Sequence, residues 1–400
     1  MRIAIIGAGI IGLSIAWHLH EAGTHVELID PTPANGATHA AAGMLAATSE
    51  TTYNEHHLTP LMLASAALYP HFIHRLTTTT NLPTGHQNTP TLHIGTDTAD
   101  RETLHNLATY AHSLGLTLTP LTTRQARKIE PLLTPSISSA LHAPHDHQVD
   151  PRLLAHALLP TLTNANIPIH TTPATGITHT DNTDPTSPVT GITHTDNTDP
   201  TSPVTGITLT NGHTIPTDHA IIANATNATN ATQLSGLPLN LTGLIRNAYG
   251  EVIRLTPPPN LRHNLTHIIR GHVNGNPIYL VPRTNGNLIL GATTRENETP
   301  HVQAGGIHTL LRDGIRLLSC IEEFTITETI ARPRPVTKDN APLLGPISTT
   351  ITLATGLGRN GILLAPAIGA TITATITTPP TTHPLPDITA FTPHRFTTTP

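Results

Sequence analysis

Apolar positions along the chain fall into three successive regimes. The first opens at Ile3 with a short run of β-branched and small side chains to Ile6, which meets three glycines at Gly7, Gly9 and Gly12. Such a run followed at once by glycine reads as a buried strand entering a tight turn. Ile11, Ile15 and Leu19 then recur at helical spacing, Gly23 stands where a helix C-cap belongs, and His25 to Ile29 form a second apolar strand. This opening is a strand, helix, strand unit.

The second regime is helical. Leu61, Ala64, Leu68, Phe72 and Leu76 share one helix face, and Leu104, Leu107 and Ala111 repeat the pattern from Arg101 to Leu114. Leu121 to Leu133 reads as a connector helix and Pro151 to Leu162 as a further one. Pro168 to Thr171 and His219 to Ala223 form short strands. From Leu237 the third regime takes over, and the period becomes two: GEVIRL is one strand, and PIYLVPRTNGNLILGAT a hairpin whose arms flank Asn285-Gly286, a type I′ turn signal. Residues His308 to Leu318 add a helix, with Leu311, Ile315 and Leu318 on one face. The expected class is α/β in two domains: a Rossmann-like nucleotide-binding domain and a second domain on a mostly antiparallel sheet.

The opening unit carries its own chemistry. In a dinucleotide turn Gly7 permits the sharp bend, Gly9 lets backbone approach a pyrophosphate, and Gly12 lets helix and strand pack closely. The helix start then presents unpaired N–H groups to phosphate. Asp30, 30 − 12 = 18 residues beyond the last glycine, ends the second strand where a carboxylate accepts a ribose diol. A merely structural glycine turn is the alternative. Ile3 to Trp17 carries no charge, yet it is shorter than the roughly 20 apolar residues a membrane span needs, and a signal-peptide start is lacking.

A net charge of −5 without Lys/Arg clusters argues against nucleic acid as the partner. Cys320 is the single cysteine, so no intrachain disulfide forms, and a cytoplasmic setting is expected. Aromatic residues make up 2%, which leaves stability to aliphatic packing. The 28 histidines raise metal binding, but neither His56-His57 nor His145-x-His147 has a matching second pair, so no metal is expected. TGITHTDNTDPTSPV spans Thr175 to Val189, recurs from Thr190 to Val204 and begins a third time. It reads as a surface loop lengthened by duplication, and its Asp-Asn-x-Asp lacks the full calcium-loop pattern. NATNATNAT supplies formal glycosylation sequons, read as chance in a threonine-rich chain.

GAGIIG, then an acid, then AAAGML resembles the FAD-dependent amine and amino-acid oxidases of the D-amino acid oxidase type, within them the glycine oxidases of thiamine biosynthesis. Alone, AAAGML would be an Ala-rich helix start. The resemblance extends to Arg334 to Asp339, to Gly356 to Gly369 and to the FTPHRF ending. It implies an FAD-binding domain of residues 1–60, 145–235 and 325–400, with 175–210 as the expanded loop, and a substrate domain of 61–144 and 236–324. It implies FAD contacts from Gly7, Gly9, Ile10, Ile11, Gly12, Asp30, Pro31, Thr38, Ala41, Ala42, Gly43, Met44 and Ala174. Gly358, Arg359, Asn360, Gly361, Ile362 and Leu363 join them at the flavin.

By the same resemblance Arg334 fixes the substrate carboxylate through its planar fork, Tyr279 adds a third hydrogen bond, and Arg359 stands at the flavin edge. A surface ion pair and a core tyrosine are the plain alternatives for Arg334 and Tyr279. The implied reaction is hydride transfer from Cα of glycine to flavin N5, with O₂ as final acceptor and H₂O₂ as product. The imine would be hydrolysed or passed to a thiazole synthase. Pro277 and Thr294 depart from the family's pattern, which keeps sarcosine and small D-amino acids open as substrates. The missing Gly-aromatic element at NATNATNAT keeps open a flavin-binding protein without oxidase activity. A homo-oligomer is expected.

Overall fold

The computed structural model describes residues 1–180, 202–224, 234–296, 299–377 and 384–396. The chain divides into two compact units, one of residues 1–38, 158–247 and 334–400, the other of residues 39–157 and 248–333.

The first unit is built on a six-stranded sheet in the order 343–346, 351–355, 219–222, 2–6, 25–29, 169–170. Every neighbouring pair is parallel except the outermost, 343–346 against 351–355. The apolar runs are continuous because parallel strands are covered on both faces, and Ala220, Ile221, Ile222, Ile5 and Leu28 show no exposure. The helix Ile10–Glu21 begins where expected and ends at Ala22, with Gly23 beyond it at φ +75°. It packs along the helix Gly361–Thr377. A Cβ on Gly369 would lie 2.6 Å from both Ser14 Oγ and His18 Nδ1, and Ser14 Oγ donates to Ala365 O at 2.8 Å.

A three-stranded antiparallel sheet, 214–216, 204–209 and 174–179, belongs to the same unit. Here the start of the first repeat copy pairs with the start of the third: Ile177 stands opposite Ile207 and Gly176 opposite Thr208. The lengthened surface loop expected of the repeat concerns residues 181–201, which lie outside the described residues, as do residues 225–232 of NATNATNAT.

The second unit carries an eight-stranded sheet in the order 325–337, 245–256, 288–291, 276–282, 268–273, 91–95, 139–143, 119–121. From 245–256 to 119–121 the neighbouring strands are antiparallel, apart from 268–273 against 91–95. Period-two alternation divides its side chains between two faces. Leu92, Ile94, Ile253, Leu255, Ile269, Ile278, Leu280 and Leu290 fill one core with Leu310 and Leu317 of the helix Ala304–Leu317. Val252, Ile268, Val281 and Ile289 face the other way with Ala40 and Ala42.

Two expectations change. The hairpin turn is not type I′, because only Gly286 has positive φ; Gly286 N–H donates to Arg283 O and Arg283 N–H to Asn287 O, a three-residue loop with glycine in the left-handed position. The connector helix is shorter than Leu121 to Leu133. It runs Thr123–Ile129, fixed at its start by a capping box between Thr122 and Gln125. Among the described residues no helix is long and apolar enough to cross a membrane.

Candidate functional site

In the first unit the glycine turn leaves the C-terminal end of the central parallel strand. A Cβ on Gly7, at φ +108°, would lie 2.6 Å from the Ala223 carbonyl carbon, and one on Gly12 would lie 1.8 Å from Gly7 O. The fold itself therefore requires those two glycines. Gly9 differs, since its nearest neighbour would be Thr38 Oγ1 at 3.5 Å, an ordinary contact. Glycine there leaves space beside the turn that no protein atom fills, as close approach of a phosphate demands.

The helix start has no side-chain cap at Gly9. Thr38 Oγ1 accepts the Ile10 N–H at 3.0 Å, and Leu13 N–H returns to Gly9 O. The N–H groups of Ile11 and Gly12 have no acceptor among the described residues, which makes them donors for an anion. Asp30 is held in place by the N–H groups of Ala8 at 2.7 Å and Thr32 at 2.9 Å. Its carboxylate has lone pairs beyond these two bonds for further hydrogen bonds. Pro31 is exposed, and Ala174 opens the strand Ala174–His179, partly buried.

A second loop leaves the C-terminal end of another strand of this sheet. After Ile351–Thr355, Gly356 and Gly358 take positive φ of +72° and +53°. Gly358 N–H donates to Pro335 O at 2.7 Å, and Val336 bridges Leu357. Arg334, half-buried, stands one residue before that tie. Asn360 is 2% exposed, its backbone carbonyl accepts Leu364 N–H at 2.9 Å to open the long helix, and its Oδ1 has no partner among the described residues. Gly361 is the first helical residue, with Ile362 and Leu363 buried beneath it and Arg359 exposed. Two glycine-turned loops at the carboxyl ends of parallel strands, with a buried orphan amide oxygen in one and orphan N–H donors in the other, fit a dinucleotide.

In the second unit Ala41 and Met44 are partly exposed, Ala42 and Gly43 buried. A Cβ on Gly43, at φ +76°, would lie 2.0 Å from Val149 O, so no other residue fits. Tyr279 lies flat over Gly291, where an added Cβ would be 2.5 Å from its hydroxyl oxygen. Strand register then puts Gly291, Tyr279, Arg270 and His93 in one row across the sheet, on the face that carries Ala40 and Ala42.

Arg270 forms an ion pair with Glu50, and its Nη1 lies 3.9 Å from Met44 Sδ. His93 stacks on His272 with ring centroids 5.3 Å apart. Burial first, and the Arg270 charge next, hold both imidazoles below their ordinary value, His93 well below. Both are neutral at pH 7. Asp146, fully buried, accepts the Thr48 and Ser49 N–H groups at 2.9 and 2.7 Å, while burial raises its carboxyl.

The sequence reading missed Arg270, Glu50 and His93. Alternation with Ile269 assigns Arg270 to the face away from the helix-covered core. Its partner, 220 residues earlier in the chain, left no local signal.

A parallel sheet with a glycine turn and a second glycine-turned helix start is the architecture of a dinucleotide-binding domain. The chain belongs to the family described as FAD dependent oxidoreductase, DAO, which it matches over residues 2–375. It is 30% identical over 373 residues to the bifunctional protein ThiO/ThiG of Trichormus variabilis, covering 92% of this chain and 52% of that one. The chain thus spans about half the length of that relative. It is 28% identical over 381 residues to the glycine oxidase of Bacillus licheniformis, covering 91% and 90% of the two chains. The crystal structure of glycine oxidase from Geobacillus kaustophilus matches with a TM-score of 0.81 at 26% identity, covering 98% of this chain and 99% of that one.

Proposed function

We propose that this chain oxidises glycine, or an amino acid of similar size, with FAD as its bound cofactor. The single observation that carries the reading is the tie between Pro335 O and Gly358 N–H at 2.7 Å. It couples the strand bearing Arg334 to the loop opening the Gly361 helix, so that a carboxylate anchor and a flavin-side helix start belong to one rigid element. Bound FAD supplies the hydride acceptor for Cα–H oxidation and passes the electrons to O₂, giving H₂O₂.

The chain's own residues do the rest. Ile11 and Gly12 N–H groups hold the pyrophosphate, and Asp30 holds the adenosine ribose. Gly9, Ile10, Pro31, Thr38 and Ala174 line the same half of the cofactor. Ala41 to Met44 and Gly358 to Leu363 receive the flavin. The Gly361 helix start, positive by its dipole, favours the negative charge that reduction brings. Arg334 fixes the substrate carboxylate as a bidentate donor, Tyr279 adds a hydroxyl donor, and Arg359 stands by the entrance. The substrate amine reacts in its unprotonated form, so no base on the protein takes part in Cα–H cleavage.

The fused ThiO/ThiG relatives support a thiazole synthase as acceptor of the imine, with hydrolysis to glyoxylate as the other fate. A cytoplasmic homo-oligomer, with FAD held mainly by residues 1–60, 145–235 and 325–400, completes the proposal. Glycine, sarcosine and D-alanine added separately to the yellow protein without oxygen test it. Loss of flavin colour with glycine supports the reading, and an unchanged spectrum with all three refutes it.

A further inference from the structure

The stretch from His39 to Met44 is gripped from behind by arginines that come from distant parts of the second unit. Arg283, 7% exposed, donates from Nη2 to Ala42 O at 2.6 Å and from Nη1 to Gln148 Oε1 at 3.0 Å. Its Nε lies 3.5 Å from Asp150 Oδ2. Arg152 Nε and Arg254 Nη2 donate to His39 O at 2.9 and 3.3 Å, and both guanidiniums pair with Glu328, at 2.9 and 3.2 Å. Gly43 O is held in turn by Val149 N–H at 2.9 Å.

Three buried or half-buried guanidiniums on two backbone carbonyls is a costly arrangement to desolvate. Burial lowers Arg283 to about 10, with Asp150 the leading opposing influence. It remains charged at neutral pH. Nothing in the packing of the sheet asks for this, since Val252, Val281 and Ile289 already cover the neighbouring positions with apolar surface.

The geometry has a directional consequence. In a trans peptide the C=O and the following N–H point to opposite sides. With Ala42 O turned toward Arg283, the N–H of Gly43 points away from it. That N–H, on a buried residue, has no acceptor among the described residues. A held carbonyl on one side therefore presents an aimed donor on the other.

Charge points the same way. Three guanidiniums, Arg152, Arg254 and Arg283, stand here against two carboxylates, Asp150 and Glu328.

We infer that Arg283, with Arg254 and Arg152, is a positioning residue for the cofactor: the arginines lock the His39 and Ala42 carbonyls so that the Gly43 N–H meets a flavin acceptor, and their excess positive charge favours the reduced, more negative flavin. This rests on the assignment of Ala41 to Met44 to the flavin. It goes beyond that assignment, because none of the three arginines belongs to it.

Arg283→Met and Arg283→Lys separate the two effects. In Arg283→Met the FAD dissociation constant rises at least tenfold. Reduced FAD loses about tenfold more affinity than oxidised FAD, which is a two-electron midpoint about 30 mV more negative. Arg283→Lys keeps charge but not the fork, so its midpoint stays near the wild-type value while FAD binding weakens. Arg254→Met shows the same two changes to a smaller extent, because Arg152 still holds His39 O.

Far-ultraviolet circular dichroism of each purified variant reports folding, and dye-coupled reduction by dithionite reports the potential without any amino acid. Should Arg283→Met not fold, Arg283→Lys and Arg254→Met decide. Wild-type FAD affinity and potential in the folded variants overturn the inference. Failure of the glycine reading instead shows as a wild-type flavin that dithionite reduces and glycine does not.

Discussion

The two units are held together internally by opposite means. The first does it with absent atoms: Gly7, Gly12 and Gly369 let backbone and helices approach to distances at which a Cβ would overlap Gly7 O, Ala223 or Ser14. The polar groups beside its glycine turn are the Ile11 and Gly12 N–H groups and one carboxylate, Asp30. The second unit uses charged side chains: Arg152, Arg254 and Arg283 on carbonyls, Arg270 on Glu50, and Arg295 on Glu251, which is 1% exposed. Close approach suits the invariant phosphates and ribose of a nucleotide. A charged scaffold suits a reactive end, where electrostatics set both binding and potential.

The comparison predicts effects of different size and kind. The largest falls on the close-packed unit: Gly12→Ala drives a methyl to 1.8 Å from Gly7 O, a backbone atom that cannot move aside. We expect a loss of about 4 kcal/mol or more of stability and a protein purified without yellow colour. Denaturant unfolding and flavin content measure the two together. A stable yellow variant would show that the approach of helix to turn is not what builds the site.

Next comes Arg334→Ala. Losing a bidentate charge-assisted contact should raise KM for glycine by about 100-fold while FAD stays bound. Equal steady-state constants would remove Arg334 from the site. Tyr279→Phe deletes one hydroxyl and keeps the ring over Gly291, so a rise in KM of about tenfold is expected. If Tyr279→Phe changes nothing, Tyr279 is a packing residue.

A further effect is conditional on pH. Burial brings His219 down to about 4, and its Nε2 lies 2.9 Å from Thr352 Oγ1. The unfolded chain, with an ordinary value near 6.5, then binds more protons between those limits. Stability from this group is complete above about pH 6.5 and is lost as pH falls toward 4, about 3 kcal/mol in all. His219→Gln should flatten that part of the acid dependence in urea unfolding at pH 7.5 and pH 5. Neutral His93 and His272 add the same sign from the other unit, and their contribution survives in the variant.

The same contrast explains what the sequence disclosed. Gly7, Gly9, Gly12 and Asp30 could be read because close approach leaves a local mark: the glycines sit within six residues of one another, and the strand, helix and cap follow directly. Tyr279 could be placed on the sheet by alternation alone. Arg283, Arg254 and Arg270 could not be read as they are used, because each meets its partner more than a hundred residues away, in Ala42, His39 and Glu50. Nothing local distinguishes such an arginine from a solvated one. The hairpin turn shows the limit at short range as well. Asn285-Gly286 promised two left-handed residues, but the pairing of Arg283 with Asn287 leaves room for Gly286 alone.

The central proposal is that FAD bound by this chain is reduced by glycine. Mixing the purified yellow protein with glycine under rigorously anaerobic conditions, and following the visible flavin band, tests it most directly. The account predicts bleaching that saturates with glycine concentration and returns on admitting air, with H₂O₂ formed. A flavin that stays oxidised at saturating glycine, yet is bleached by dithionite, would contradict it.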